Sequence, residues 1–307
     1  MSYLRDTKLK YPSAILIPAI AGVSISFLSF AFFQSIKVLS AKGSGYPTDN
    51  IYLILFGALF LAAIIEELLY RLPLQPRLKS FKLILVSCLL IQFLILYVKI
   101  SLFFAFVFIV IVLGLIYRFK LNESAIRIVY AYSSSISFGI IHIDFSSNDF
   151  LSILISLLYY FSFGLFFSWI VINFSIGKSI LCHIFVNGLL VTLAIYPHVS
   201  PSKIPKRLSS AGSLQIEISE NPIFGSNTSR YFHTENGVVF ENSTTLEIVK
   251  YTGAVFNTKR DVEYLTFPSA RYNIKITKDP KKSKLNGIEI YEALQKADLI
   301  FLNPKIY

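Results

Sequence analysis

The chain has 307 residues, 54% of them hydrophobic and only 15% charged, with a mean hydropathy of +0.60. Soluble proteins carry about 25% charged residues, so this balance excludes a wholly soluble fold and indicates a polytopic membrane protein. The net charge is +11, but the cations of the first two thirds lie between hydrophobic runs rather than on one face. That distribution argues against a nucleic-acid partner and for a lipid bilayer.

A helix crossing the bilayer core takes about 20 apolar residues, within about 17–25. Runs of this kind occupy 13–36, 51–72, 82–98, 101–118, 125–143, 151–173 and 178–197. They predict an all-α polytopic membrane bundle of about seven transmembrane helices. The first run is long for a signal-peptide core and reads as a retained helix. A very short link at Lys99 makes the third and fourth runs a tight hairpin or a partly re-entrant pair.

Arg5, Lys8 and Lys10 fall on one side of the expected bundle, with Arg71, Arg77, Lys79, Lys82, Arg118, Lys120, Arg127 and Lys178. The other side receives Lys37, Lys42 and Lys99 with Asp49, Asp144 and Asp149. The more basic side is the cytoplasmic one by the positive-inside rule. An odd number of spans then carries residues 198–307 out of the cytoplasm.

That last segment has a different pattern. After the linker-like "SPSKIPKR", the stretches "SLQIEIS", "GVVFE", "TTLEIVKY", "VEYLTF" and "RYNIKIT" alternate apolar and polar residues between turn residues. Period-two alternation predicts strands, hence a small β-rich soluble domain, with a helix near "IEIYEALQKA". It carries no catalytic constellation and reads as a docking or shielding domain. Cys88 and Cys182 both lie in apolar runs. They offer no disulfide framework or metal-ligand spacing and read as small buried hydrophobes.

The chemistry-bearing residues lie inside the apolar runs. "AAIIEELLYRLPL" places Glu66, Glu67 and Arg71 in the second. A charge at the bilayer centre costs about 2.5–3.5 kcal/mol on insertion scales, so such residues face the bundle interior and have partners. Glu67 and Arg71, four apart, share a helix face and can pair. Glu66 lies about 100° further round, free to serve another space. "SSSISFGIIHI" puts Phe138 and His142 on one helical face, and "SILCHIFVNGL" does the same for His183 and Asn187. One carboxylate, two imidazoles and an amide on three helices suit peptide hydrolysis. Glu66 is the candidate base, a histidine orients the water, and a ring N–H and the amide donate to the oxyanion.

"EELLYR", "FGIIH" and "HIFVN" match, in order, E-E-x-x-x-R, F-x-x-x-H and H-x-x-x-N. In these motifs the chain resembles the CAAX protease and bacteriocin-processing (CPBP, or Abi) family of intramembrane glutamate proteases. The resemblance covers roughly residues 51–197, with 82–118 as an inserted hairpin, inside an expected membrane domain of 1–197. It implies that Glu66 activates water with help from His142, that His183 and Asn187 stabilise the oxyanion, and that Glu67, Arg71 and Phe138 support the site. It also implies an intramembrane endopeptidase without a metal or other cofactor, whose substrate is a peptide or protein, lipidated or membrane-anchored in many members. Tyr70 and Leu72 stand where the family often has Phe and Gly.

Other classes fit the pattern less well. A proton-coupled transporter or channel would use the buried Glu and His but has little need of Asn187 and would favour broken, symmetric helices. A di-iron or zinc oxidase would want paired E-x-x-H or H-x-x-x-H ligands, which are absent. A silent scaffold would leave the buried polar groups without a purpose.

Overall fold

The computed structural model describes residues 13–33, 50–75, 81–118, 121–143, 150–202, 204–209, 214–258, 260, 262–266, 269–279 and 285–302. Positions 34–36 of the first expected span lie outside these, as do Arg5, Lys8, Lys10, Lys37, Lys42, Asp49, Arg77, Lys79, Lys120, Asp144 and Asp149. The chain divides into two compact units. One gathers the first helix and Ala58–Asn187; the other gathers the described segment up to Gly57 and the chain from Gly188 onward.

The helices follow in order: α1 (Ser13–Phe33), α2 (Ile51–Phe56), a π turn (Gly57–Leu61), α3 (Ala62–Arg71), a 3-10 turn (Leu72–Leu74), α4 (Phe81–Lys99), α5 (Leu102–Arg118), α6 (Glu123–His142), α7 (Phe150–Asn173) and α8 (Ile176–Val199). Among the described residues five stretches are long and apolar enough to cross a membrane: Ile51–Leu74, Phe81–Lys99, Glu123–His142, Ile153–Asn173 and Ile176–Val199. Two shorter apolar helical stretches, Ser13–Ser26 and Phe104–Ile116, fall where the other two spans were expected.

Small residues set how closely these helices approach. A Cβ on Gly164 of α7 would sit 2.8 Å from the Ser135 Cβ of α6. Gly22 of α1 lies directly against the Ser162 hydroxyl of α7. In lipid, where apolar burial gives no net drive, such close van der Waals contact is what associates helices. The buried serines of α6 add no unpaired donor where they bond back to their own helix: Ser134 and Ser135 both donate to the Ala131 carbonyl, at 3.2 and 2.6 Å.

The end of α3 is built with similar economy. Pro73 has no N–H to give the Leu69 carbonyl four residues back. Gln92 Nε2 of α4 and the Tyr130 hydroxyl of α6 each donate to that carbonyl at 3.3 Å, and Gln92 Nε2 also reaches Tyr130 at 2.8 Å. The hairpin α4–α5 is therefore part of the support of α3. Arg127 of α6 donates to the carbonyls of Pro73 and Gln75, both at 2.8 Å, and pairs with Glu123 at 2.7 Å. The Gln75 side chain accepts from the Ile176 amide at 2.7 Å. The end of α3 and the starts of α6 and α8 thus meet at one turn, near Arg71, Arg127 and Lys178.

In the second unit, β1 (Lys206–Ser209), β2 (Leu214–Asn221), β3 (Arg230–Thr234), β4 (Gly237–Thr244) and β6 (Arg271–Lys278) form an antiparallel sheet ordered β1-β2-β6-β4-β3. Strands β5 (Val262–Tyr264) and β7 (Ile300–Leu302) pair separately. Ile216, Ile218, Val238, Phe240, Ile274 and Ile276 form one buried face, packed with Ile248 of α9 (Thr245–Val255) and Ile290 and Leu294 of α10 (Gly287–Lys296).

Three sequence expectations need correction here. "TTLEIVKY" is the start of α9, not a strand. Thr244 and Glu247 form a reciprocal capping box, and that signal outweighs the short alternation. The linker-like "SPSKIPKR" already contains the start of β1, and β3 was not expected at all. Its residues are all exposed, so it lacks the buried half of the period-two signal.

Candidate functional site

Glu67 is fully buried and takes hydrogen bonds from three directions. Arg71 Nη1 donates to Oε1 at 3.0 Å, His183 Nδ1 meets the same oxygen at 2.9 Å, and the Ser179 hydroxyl donates to Oε2 at 2.6 Å. Buried carboxylates persist when paired and hydrogen-bonded in this way. The four-residue spacing joins Glu67 to Arg71, and the same spacing on α8 puts Ser179 below His183.

Arg71 is almost as deeply buried, at 1% exposure. Its guanidinium carbon lies 4.4 Å from the Phe138 ring centroid and 5.4 Å from that of Phe167. Its Nε and Nη2 have no hydrogen-bond partner among the described residues. Aromatic faces take the place of the missing acceptors, as a weakly hydrated guanidinium allows. Phe138 therefore has a definite place as a platform for the supporting cation.

Glu66 turns away from this cluster. Its Oε1 lies 3.6 Å from His142 Nε2 and its Oε2 lies 3.6 Å from His183 Nε2. Both gaps are too long for direct hydrogen bonds. Glu66 and His142 are partly open, at 19% and 25% exposure, while His183 is at 5%. Each ring is fixed from behind. His142 stacks on Tyr160 of α7 at 4.5 Å, and His183 stacks on Phe167 at 4.5 Å.

The tautomers follow from the partners. His142 Nδ1 faces the Phe138 carbonyl at 2.7 Å, and a carbonyl only accepts, so that nitrogen carries the proton. His183 Nδ1 faces Glu67, which also accepts from Arg71 and Ser179 and so acts as a carboxylate; here too Nδ1 is the donor. In their neutral forms both rings turn the Nε2 lone pair toward the Glu66 carboxylate. The three groups form a set of acceptors suited to a hydrogen donor such as water. Either imidazole becomes a donor at Nε2 only after taking up a proton.

The two histidines reach one carboxylate despite their different positions along their helices. From Arg127, level with Pro73 and Gln75, to His142 is fifteen residues, or about 22 Å of α6. From Gln75 back to Glu66 is nine residues, or about 13 Å at helical rise. His142 sits on the last turn of α6, where its side chain meets Glu66.

Asn187, four residues after His183 on α8, has a backbone partner. Its Nδ2 donates to the Ala58 carbonyl at 2.9 Å. Ala58 belongs to the π turn Gly57–Leu61, a departure from α geometry of the kind that often lies near functional sites. One amide hydrogen thus ties α8 to the turn that precedes α3.

The structure brings Glu66, His142 and His183 together, with Glu67, Arg71 and Phe138 behind them, and places Asn187 at the π turn. Sequence reasoning missed Ser179, Tyr160 and Phe167. Ser179 had a usable signal, a polar residue one helical turn before His183; the two aromatics had none. Among the described residues no group of three or more His, Cys, Asp or Glu is arranged to hold a metal ion. Comparison with protein-family models, curated proteins and solved structures found nothing that matches this chain.

Proposed function

We propose that the protein is an intramembrane endopeptidase of the glutamate type, with Glu66 as the general base. The observation that carries this reading is the Glu66 carboxylate held between two imidazole Nε2 atoms, each at 3.6 Å. A water donating into these acceptors has its oxygen lone pairs free for a substrate carbonyl carbon. As the C–O bond forms, the water proton passes to Glu66, and the carbonyl electrons move onto oxygen. One of the two histidines takes up a proton from solvent before the attack and donates its Nε2–H to that oxyanion, with the second amide hydrogen of Asn187 as a further donor, while the other stays neutral and accepts from the water. Collapse of the intermediate breaks the C–N bond, and Glu66 returns the proton to the leaving amine. Glu67, Ser179 and Arg71 position His183 throughout.

The proposal includes seven spans, with α1 and α5 also crossing, in a multi-pass protein of the cell membrane. The meeting of Arg71, Arg127 and Lys178 ends supports one basic, cytoplasmic side, which puts the N-terminus inside and the β-rich domain outside. The substrate is then a membrane-anchored or lipidated peptide or protein.

The test compares membranes from cells carrying the wild-type protein or Glu66→Gln, incubated in oxygen-18 water. New peptide termini should form only with the wild type, each new C-terminus carrying the heavy oxygen. Equal termini in both samples overturn the assignment.

A further inference from the structure

Outside the candidate site, the loop after β2 carries a chemistry of its own. Ile223, at 1% exposure, packs between Ile51 and Ile195. Ile51 opens the membrane-length stretch Ile51–Leu74, and Ile195 lies in the last turns of Ile176–Val199. The Ile223 amide donates to the His198 carbonyl at 3.0 Å, and His198 Nδ1 is hydrogen-bonded to Glu220 Oε1. The turn Pro222–Gly225 is therefore fastened level with the ends of two apolar helices.

Near that turn and the end of α8, several large apolar side chains are exposed among the described residues. Phe224 is 49% exposed, Ile204 79% and Tyr196 76%. Tyr196 continues the exposed stripe of α8 formed by Leu189 and Leu193, and Ile204 follows the end of that helix by five residues. Lys206 and Arg207 follow directly and are exposed. Apolar and aromatic side chains bordered by cations at the end of a membrane span match the bilayer interface, where aromatic rings sit among headgroups and cations meet lipid phosphates.

We propose that Phe224 and Ile204 insert into the lipid interface, so that the turn Pro222–Gly225 and the start of β1 form a membrane-anchoring surface of the β-rich domain. The occupant is the lipid headgroup and upper acyl region of the bilayer. The inference rests on α8 spanning the membrane and is independent of peptidase activity.

The chain has a single tryptophan, Trp169, which makes a direct test simple. In a Trp169→Phe background, Phe224→Trp, Ile204→Trp and Phe185→Trp are each reconstituted as full chains in phosphatidylcholine–phosphatidylglycerol vesicles. Bromine is placed on the lipid chains either near the headgroup or near the chain terminus. Phe185, 72% exposed on α8, reports on the span itself. The proposal expects loss of emission from the residue-224 and residue-204 probes with shallow bromine, and from the residue-185 probe with deep bromine. Water-like, unquenched emission at both 224 and 204, with residue 185 still quenched, overturns the anchor alone. An unquenched probe at 185 overturns the spanning of α8, and the anchor with it.

Discussion

Removing the charge of Glu67 tests whether the buried ion cluster is what holds the site together. Glu67→Gln keeps the shape but leaves the Arg71 charge, at 1% exposure, without the carboxylate that neutralises it among the described residues. Breaking one side of a buried pair costs about 3–5 kcal/mol. At about 2–4 °C per kcal/mol for a unit of this size, the midpoint of thermal unfolding should fall by roughly 10 °C. In a Cys182→Ser background, Cys88, 6% exposed, offers the assay: a fluorogenic thiol reagent reports its exposure as detergent-solubilised protein is heated. The double variant Glu67→Gln/Arg71→Met removes both charges, places an apolar chain between Phe138 and Phe167, and should recover more than half of the loss. A single variant within about 2 °C of wild type refutes the reasoning. Loss in the double equal to the sum of the singles does so too, because contacting partners must couple.

Glu66→Gln should leave that midpoint within about 2 °C, since no direct hydrogen bond is lost, while abolishing new peptide termini. Ser179→Ala should cost about 1.5–3 kcal/mol, the range for a hydrogen bond to a charged group; nitrogen-15 NMR of labelled histidine should also show His183 changing its tautomer balance. Asn187→Ala removes the hydrogen bond to the Ala58 carbonyl and should cost about 0.5–1.5 kcal/mol in an SDS-titration assay. Gly164→Val forces α7 off α6 at Ser135 and should cost about 1–3 kcal/mol in the same titration, whereas Gly114→Val, with open space around it, should change little.

The parts of the site that sequence made legible were those governed by helical spacing alone. Glu67 and Arg71 pair because they are four apart, and Glu66 diverges because it is one residue earlier. His142 and His183 declared themselves as rare polar groups in apolar helices. Backbone partners are another matter. No side-chain pattern announces that the Ala58 carbonyl will be available to Asn187, because that depends on a π turn whose sequence, "GALFL", is ordinary helix. Tyr160 and Phe167 are hidden among many aromatics on α7. In the β-rich domain, alternation located β2, β4 and β6, which have one buried face. It failed for exposed β3 and misread α9, where two residues of a capping box decided the outcome.

The deep burial of Glu67 bears on how the chain is made. Arg71 emerges four residues later, but Ser179 and His183 follow by 112 and 116 residues. At about 5–20 residues per second, synthesis of that interval takes roughly 6–23 s. If the stretch Ile51–Leu74 spans the membrane as proposed, its acid has during that interval only its own arginine as a partner from this cluster. On that proposal the i, i+4 pair eases insertion before it serves as a scaffold for His183. Moving Arg71 by two positions should lower the yield of inserted protein before any question of turnover arises.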